Sequence, residues 1–192
     1  MSEVTICNLA LSWLGADQII SLNDESTSAI LCNANYHDAR KSVLEATAWT
    51  FATKRTTLAQ IAGAPVWPLY GVQYAIPADS LRILEMSENG FNSTFEHWVI
   101  ESGRLLCNTQ KVWVRYIWDV LDTSKFSPMF VQALAARLAA DMSIPLTNDR
   151  VLQKDMWSLY ELKVSGATTV DGLQGRRQQI RSPRLIAARS RF

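Results

Sequence analysis

The chain reads as an α+β protein: a helical bundle with an antiparallel β-sheet inserted between its halves and an extended C-terminal arm. Three observations predict this. Apolar residues recur every three or four positions near both ends, which is a helical period. Between about Thr53 and Val120 the pattern turns to short alternating runs broken by Gly, Pro and Asn. After Gly166 the sequence becomes Arg-rich and poor in apolar side chains. The expected division is 1–52 and 123–166 for the bundle, 53–122 for the sheet, and 167–192 for the arm.

Ser2 caps a first helix carrying Ile6, Leu9, Ala10 and Trp13, and Gly15 stops it. A linker from Ala16 to Asp24 leads to a second helix, opened by Ser26 or Ser28 and running to about Thr47. Its expected buried stripe is Cys32, Tyr36, Ala39, Val43 and Ala46. The exit of that helix, Trp49-Thr50-Phe51, places two large rings one residue apart, so in extended chain both leave on one face. With Arg55 they form an expected structural anchor. Its plain reading is a helix terminus plugged into a core, where the indole N–H needs a partner.

RTTLAQI alternates weakly, and LYGVQYAI reads as a strand ended by Pro77. LRILEMS follows, with Leu81, Ile83 and Glu85 on one face. Asn89-Gly90 signals a turn, and Ser102-Gly103 joins EHWVIES to RLLCN as a hairpin. In KVWVRYIWDV, Val112, Val114, Tyr116 and Trp118 share one face while Trp113, Arg115 and Ile117 share the other. Ser127-Pro128 then opens a helix with Phe130, Leu134, Leu138 and Met142 on its core side, ended at Pro145. A last helix, from about Thr147 to Gly166, carries Leu152, Met156, Leu159 and Leu162.

At 192 residues, with 48% apolar and 19% charged side chains, the chain has the composition of a globular protein with a real core. The net charge of +1 is unevenly spread. Six Arg and no acid follow Asp171, so residues 1–171 hold 13 basic and 18 acidic side chains, a net of −5, against +6 beyond. An acidic body with a basic tail implies an anionic partner for the tail. Arg reaching carboxylates, with Ile and Leu filling pockets, favours a protein partner. Phosphate contact by the Arg arm, as in a nucleic-acid-binding accessory protein, is the alternative. The arm carries no aromatic except Phe192, so base stacking is not indicated.

Little here suggests an enzyme. Cys7, Cys32 and Cys107 form no metal spacing and read as buried reduced thiols. His37 is expected inside a helix and His97 inside a strand, neither within a metal motif. No phosphate-binding glycine loop or nucleophile elbow occurs. Asp38 with Glu45 and Asp119 with Asp122 are the available carboxylate pairs, and exposed structural acids explain them better. No catalytic residue, metal or cofactor is expected, nor a signal peptide, nor an apolar run near the ~20 residues of a membrane span.

The segments LSWLGADQIISLND, the helix with Tyr36, Asp38 and Arg40, WTFATKRTTL, and PLYGVQYAIPADSLRILE together resemble the tail tubular protein A family. These are head-to-tail adaptors of short-tailed phages. The resemblance covers nearly the whole chain through aromatic-plus-Arg signatures. It implies a ring of twelve copies in the virion, joining the portal protein to a tail nozzle, with genomic DNA passing through the lumen without specific binding. On that reading the arm binds the portal through Arg176, Arg177, Ile180, Arg181, Arg184, Leu185, Ile186 and Arg189. Seven Trp are many for this length. Trp67, Trp98, Trp113 and Trp118 are the candidates for subunit or tail contacts.

Overall fold

A computed structural model describes residues 1–63, 65, 69–88 and 97–173, with side chains through 167. Among these residues the fold is α+β: two helices, a block of antiparallel strands, then two helices. The first helix, α1 (Glu3–Leu14), begins where Ser2 Oγ accepts the Thr5 N–H. It ends at Gly15, whose φ of 67° is the left-handed conformation glycine adopts without strain. The linker that follows is not loose. The Asn8 side chain both donates to Ile19 O (2.9 Å) and accepts from Ile19 N (2.8 Å), pairing with the backbone as a strand neighbour does.

Helix α2 (Thr27–Ala46) is capped by Ser26. Its buried stripe holds Cys32, Tyr36, Ala39 and Val43, as the period predicts. Arg40 and Leu44 are also buried, whereas Ala46 is exposed. The next residues are not extended: Thr50–Ala52 form a 3₁₀ turn. The rings of Trp49 and Phe51 still meet, 6.0 Å apart, because the short turn brings them round to one side.

Helix α3 (Pro128–Thr147) starts at Ser127 and buries Phe130, Val131, Leu134, Ala135, Leu138 and Met142. Pro145 does not end it. A proline in the last turn removes one hydrogen bond but leaves the remaining carbonyls to be closed by Asn148, which takes the left-handed conformation and donates to Ile144 O. Helix α4 (Arg150–Leu173) starts on Asp149, whose carboxylate accepts from Val151 N and Leu152 N. It packs antiparallel on α3. Its inner face is Leu152, Met156, Tyr160, Val164 and Ala167, so Leu162 points outward and is 68% exposed. Nor does it stop at Gly166. That glycine lies against Met129 and the helix runs seven residues further; one glycine costs only about 1 kcal/mol in a helix interior.

In place of the single expected sheet, the strands form two. One has the order β1 (Thr53–Thr57), β7 (Trp113–Trp118), β4 (Ser80–Ser87). The other runs β2 (Gln60–Ile61), β3 (Val72–Ala75), β6 (Arg104–Cys107), β5 (Val99–Glu101). The chain crosses between them at Leu58-Ala59, where Leu58 N donates to Val112 O and Ala59 O accepts from Ala75 N. Leu58, Tyr74, Met86, Leu105, Val112, Val114 and Tyr116 form one shared core. The β5–β6 turn has φ of 50° at Ser102 and 70° at Gly103, the two left-handed residues of a tight hairpin. Asn89-Gly90 lies outside the described residues.

Strand β4 breaks simple alternation. Register shifts between Ser80 and Arg82, and between Ile83 and Glu85, are bulges. They send Leu81 and Leu84 to the bundle core, but Ile83 and Met86 to the sheet core. Leu81, Ile83 and Glu85 therefore do not share a face. Contrary to the sequence expectation, one helix does reach the length and apolarity of a membrane span: α3, with 20 residues and a mean hydropathy of 1.2. Gln132, Arg137 and Asp141 interrupt it, and most of it is buried against the rest of the bundle.

Candidate functional site

Where bundle meets sheet, charged side chains from distant parts of the chain converge. Arg40 on α2 is 2% exposed and donates through Nη1 to Asp119 Oδ1 and to Val120 O, just past β7. Asp119 N donates to Asp79 O at 2.8 Å. The Asp79 carboxylate accepts from Lys54 Nζ (2.8 Å) and Tyr116 Oη (3.1 Å). Lys54 also lies 3.6 Å from the centre of the Trp118 ring, a cation–π contact. The seam thus ties α2, β1, the β3–β4 turn and β7 into one network.

Beside it stands an aromatic plug. Trp49 is 1% exposed, edge-on to Phe130 at 5.1 Å, and its indole N–H donates to Val43 O at 2.8 Å. That carbonyl is among the last four of α2, which have no partner within the helix. Phe51, Phe126 and Phe130 complete the cluster. Arg55 is not part of the anchor. It is exposed on β1 opposite Arg115, whose guanidinium pairs with Glu85 on β4. Lys54, one residue earlier, faces the seam instead.

The seam is an electrostatic network. Lys54 holds the Asp79 carboxyl below its usual range, with the Tyr116 hydroxyl adding to the effect against the cost of burial. A lowered carboxyl pKa contributes stability that is full above the ordinary Asp range and lost as pH falls through the folded value. Asp79 and Lys54 are each about two-fifths exposed, so water screens the pair. Asp79→Asn is expected to cost at most about 1 kcal/mol at neutral pH and to flatten the acid limb of the stability curve. Urea midpoints at pH 7 and pH 3 measure this; an unchanged pH slope in the variant removes Asp79 from the account.

The other candidates are dispersed. His37 is exposed on α2 beside Tyr36, and His97 is exposed ahead of β5, not within a strand. Asp119 serves Arg40, while Asp122 caps the turn at Ser124. Cys7, Cys32 and Cys107 are free and buried, as expected, with Cys32 Sγ 3.7 Å from Met142 Sδ. Among the described residues no three His, Cys, Asp or Glu side chains are placed to hold a metal. Trp118 packs at the seam and Trp98 against the sheet core, while Trp113 is 37% exposed beneath Lys111. Trp67 and the arm residues from Arg176 to Arg189 lie outside the described residues. Arg40, Trp49 and Asp79 meet at the seam and plug and hold the fold. Compared with profiles of known protein families and with curated proteins, the sequence matches none.

Proposed function

We propose that this protein is a structural connector of the tail tubular protein A type. Copies of it, twelve by the resemblance, form a ring in the virion between portal and tail nozzle, and DNA passes through unbound. No enzymatic step belongs to this role. The observation that carries the reading is the division of charge: an acidic body ending in a segment with six Arg and no acid. The fold supports it. Gly166 of α4 is level with Met129, in the first turn of α3, so Leu173 lies about 10 Å further along the axis. The basic segment is thereby delivered beyond the end of the α3–α4 pair, where a strap onto another protein must begin. Ring contacts of this kind join unlike faces of successive copies, and closure limits growth.

Full-length chain and a chain ending at Leu173, each mixed with portal and imaged by electron microscopy, test the proposal. The truncated body should fold, because both cores described above are built from residues up to Ala167, and should no longer attach. Attachment at full strength without the arm overturns the reading. The competing reading, an arm that grips nucleic acid, predicts DNA affinity falling by orders of magnitude as salt rises.

A further inference from the structure

Three shallow hollows adjoin one another on the surface of the bundle, with volumes of about 240, 540 and 570 Å³. The first is apolar and includes Met1, Phe126 and Val131. It shares Thr123 with the second, which holds Glu3, Leu121 and Asp122. The second shares Leu22 and Asn23 with the third, which holds Asp24, Glu25 and Ile30. Together they make one groove whose described lining has four acidic side chains and no Lys, Arg or His. Lys125, 3.7 Å from Asp122, stands at its margin and leaves negative charge in excess. Large apolar side chains are open to water along it: Met1 is 66% exposed, Leu121 66% and Ile30 59%.

We infer that this groove is the resting place of the chain's own basic arm, residues 174–192. The chemistry matches in both respects, since the arm offers Arg for the carboxylates and Ile180, Leu185 and Ile186 for the exposed apolar side chains. The path matches too. Lys163 Nζ donates to Gln132 Oε1 at 2.7 Å, and Gln132 lines the first hollow, so α4 passes the mouth of the groove ten residues before its end at Leu173. Nineteen residues reach about 60 Å when extended, enough to turn back from Leu173 and run the groove. Tethering decides between the arm of the same copy and that of another. A short flexible linker holds its end at an effective concentration on the order of millimolar, well above that of free subunits. The inference rests on the arm being a docking strap, and it adds that the free subunit keeps this strap parked until a better surface competes for it. Parking also neutralises a cationic tail that nucleic acid would otherwise attract.

The test needs no portal, so its failure is separable from failure of the connector reading. Trypsin is added to the full chain at low salt, and cleavage after Arg176 to Arg189 is followed by mass spectrometry. A synthetic 174–192 peptide under the same conditions gives the reference rate. The arm should be cut about tenfold more slowly than the peptide, which corresponds to about 1.4 kcal/mol of docking. The protection should not change with protein concentration. A double variant, Glu25→Lys with Leu121→Asp, alters two exposed positions and should bring the rate to that of the peptide. So should roughly 1 M salt on the unmutated chain, where screening shortens to about 3 Å; this arm needs no variant to fold. Equal rates for chain and peptide at low salt overturn the inference. Protection that grows with concentration also overturns it, assigning the groove to another copy's arm, as does protection that survives both salt and substitution.

Discussion

Trp49→Ala is expected to lower stability by about 3–5 kcal/mol, the range for removing a large buried aromatic. The loss has two parts. The Phe51 and Phe130 rings would face a cavity in place of an indole. Val43 O would lose its donor at the end of α2. Trp49→Phe separates them, since it keeps most of the packing and leaves the carbonyl unpaired, for about 1–3 kcal/mol. Urea unfolding followed by far-ultraviolet circular dichroism, which is not dominated by the remaining Trp, measures both. A loss below 1 kcal/mol for the alanine variant contradicts the account of the plug.

The ion pair at the seam should respond unequally to loss of its two partners. Arg40 is 2% exposed and Asp119 is 22% exposed. Asp119→Ala strands a guanidinium out of reach of water, with Val120 O as its remaining hydrogen-bond partner among the described residues, and is expected to cost about 3–5 kcal/mol. Arg40→Met fills the same space with an apolar chain and leaves a carboxylate that water can reach, so roughly 1–3 kcal/mol is expected. The ordering is the content of the prediction. If the two variants unfold at one urea midpoint, burial does not control this pair. Should Arg40→Met be the worse, the guanidinium matters for packing more than for charge.

Local chemistry explains which parts of the fold the sequence discloses. Ser2, Ser26 and Ser127-Pro128 open helices because their hydroxyls take an orphan N–H, and that depends only on neighbours three residues away. Ser102-Gly103 is equally local. Arg40 is different. It sits beside the apolar stripe of α2, where a charge reads as a solvated edge, and its partner is 79 residues away. The bulges of β4 are hidden for a related reason: a strand wedged between two cores must feed both, which strict alternation cannot do. On α4 the apolar residues outnumber the inner positions, so Leu159 and Leu162 compete on paper with Tyr160 and Val164. Only packing on α3 resolves which row faces inward. Lys54 against Arg55 is a choice of strand face, fixed by the register of β1 on β7 and by no property of the two residues themselves.

The pairing of Thr53 with Ile117 has a consequence for how such a molecule diversifies. The points at which the chain leaves the helices and returns to them are the two sides of one rung of a ladder, about 5 Å apart. Everything strung between them is a cassette with a fixed socket. Insertions and deletions in its loops leave the socket's geometry intact provided that this rung, the Arg40 clasp and the Leu81 and Leu84 contacts with the bundle core survive. Selection can therefore reshape the distal lobe to suit whatever it abuts, while the four-helix base stays constant.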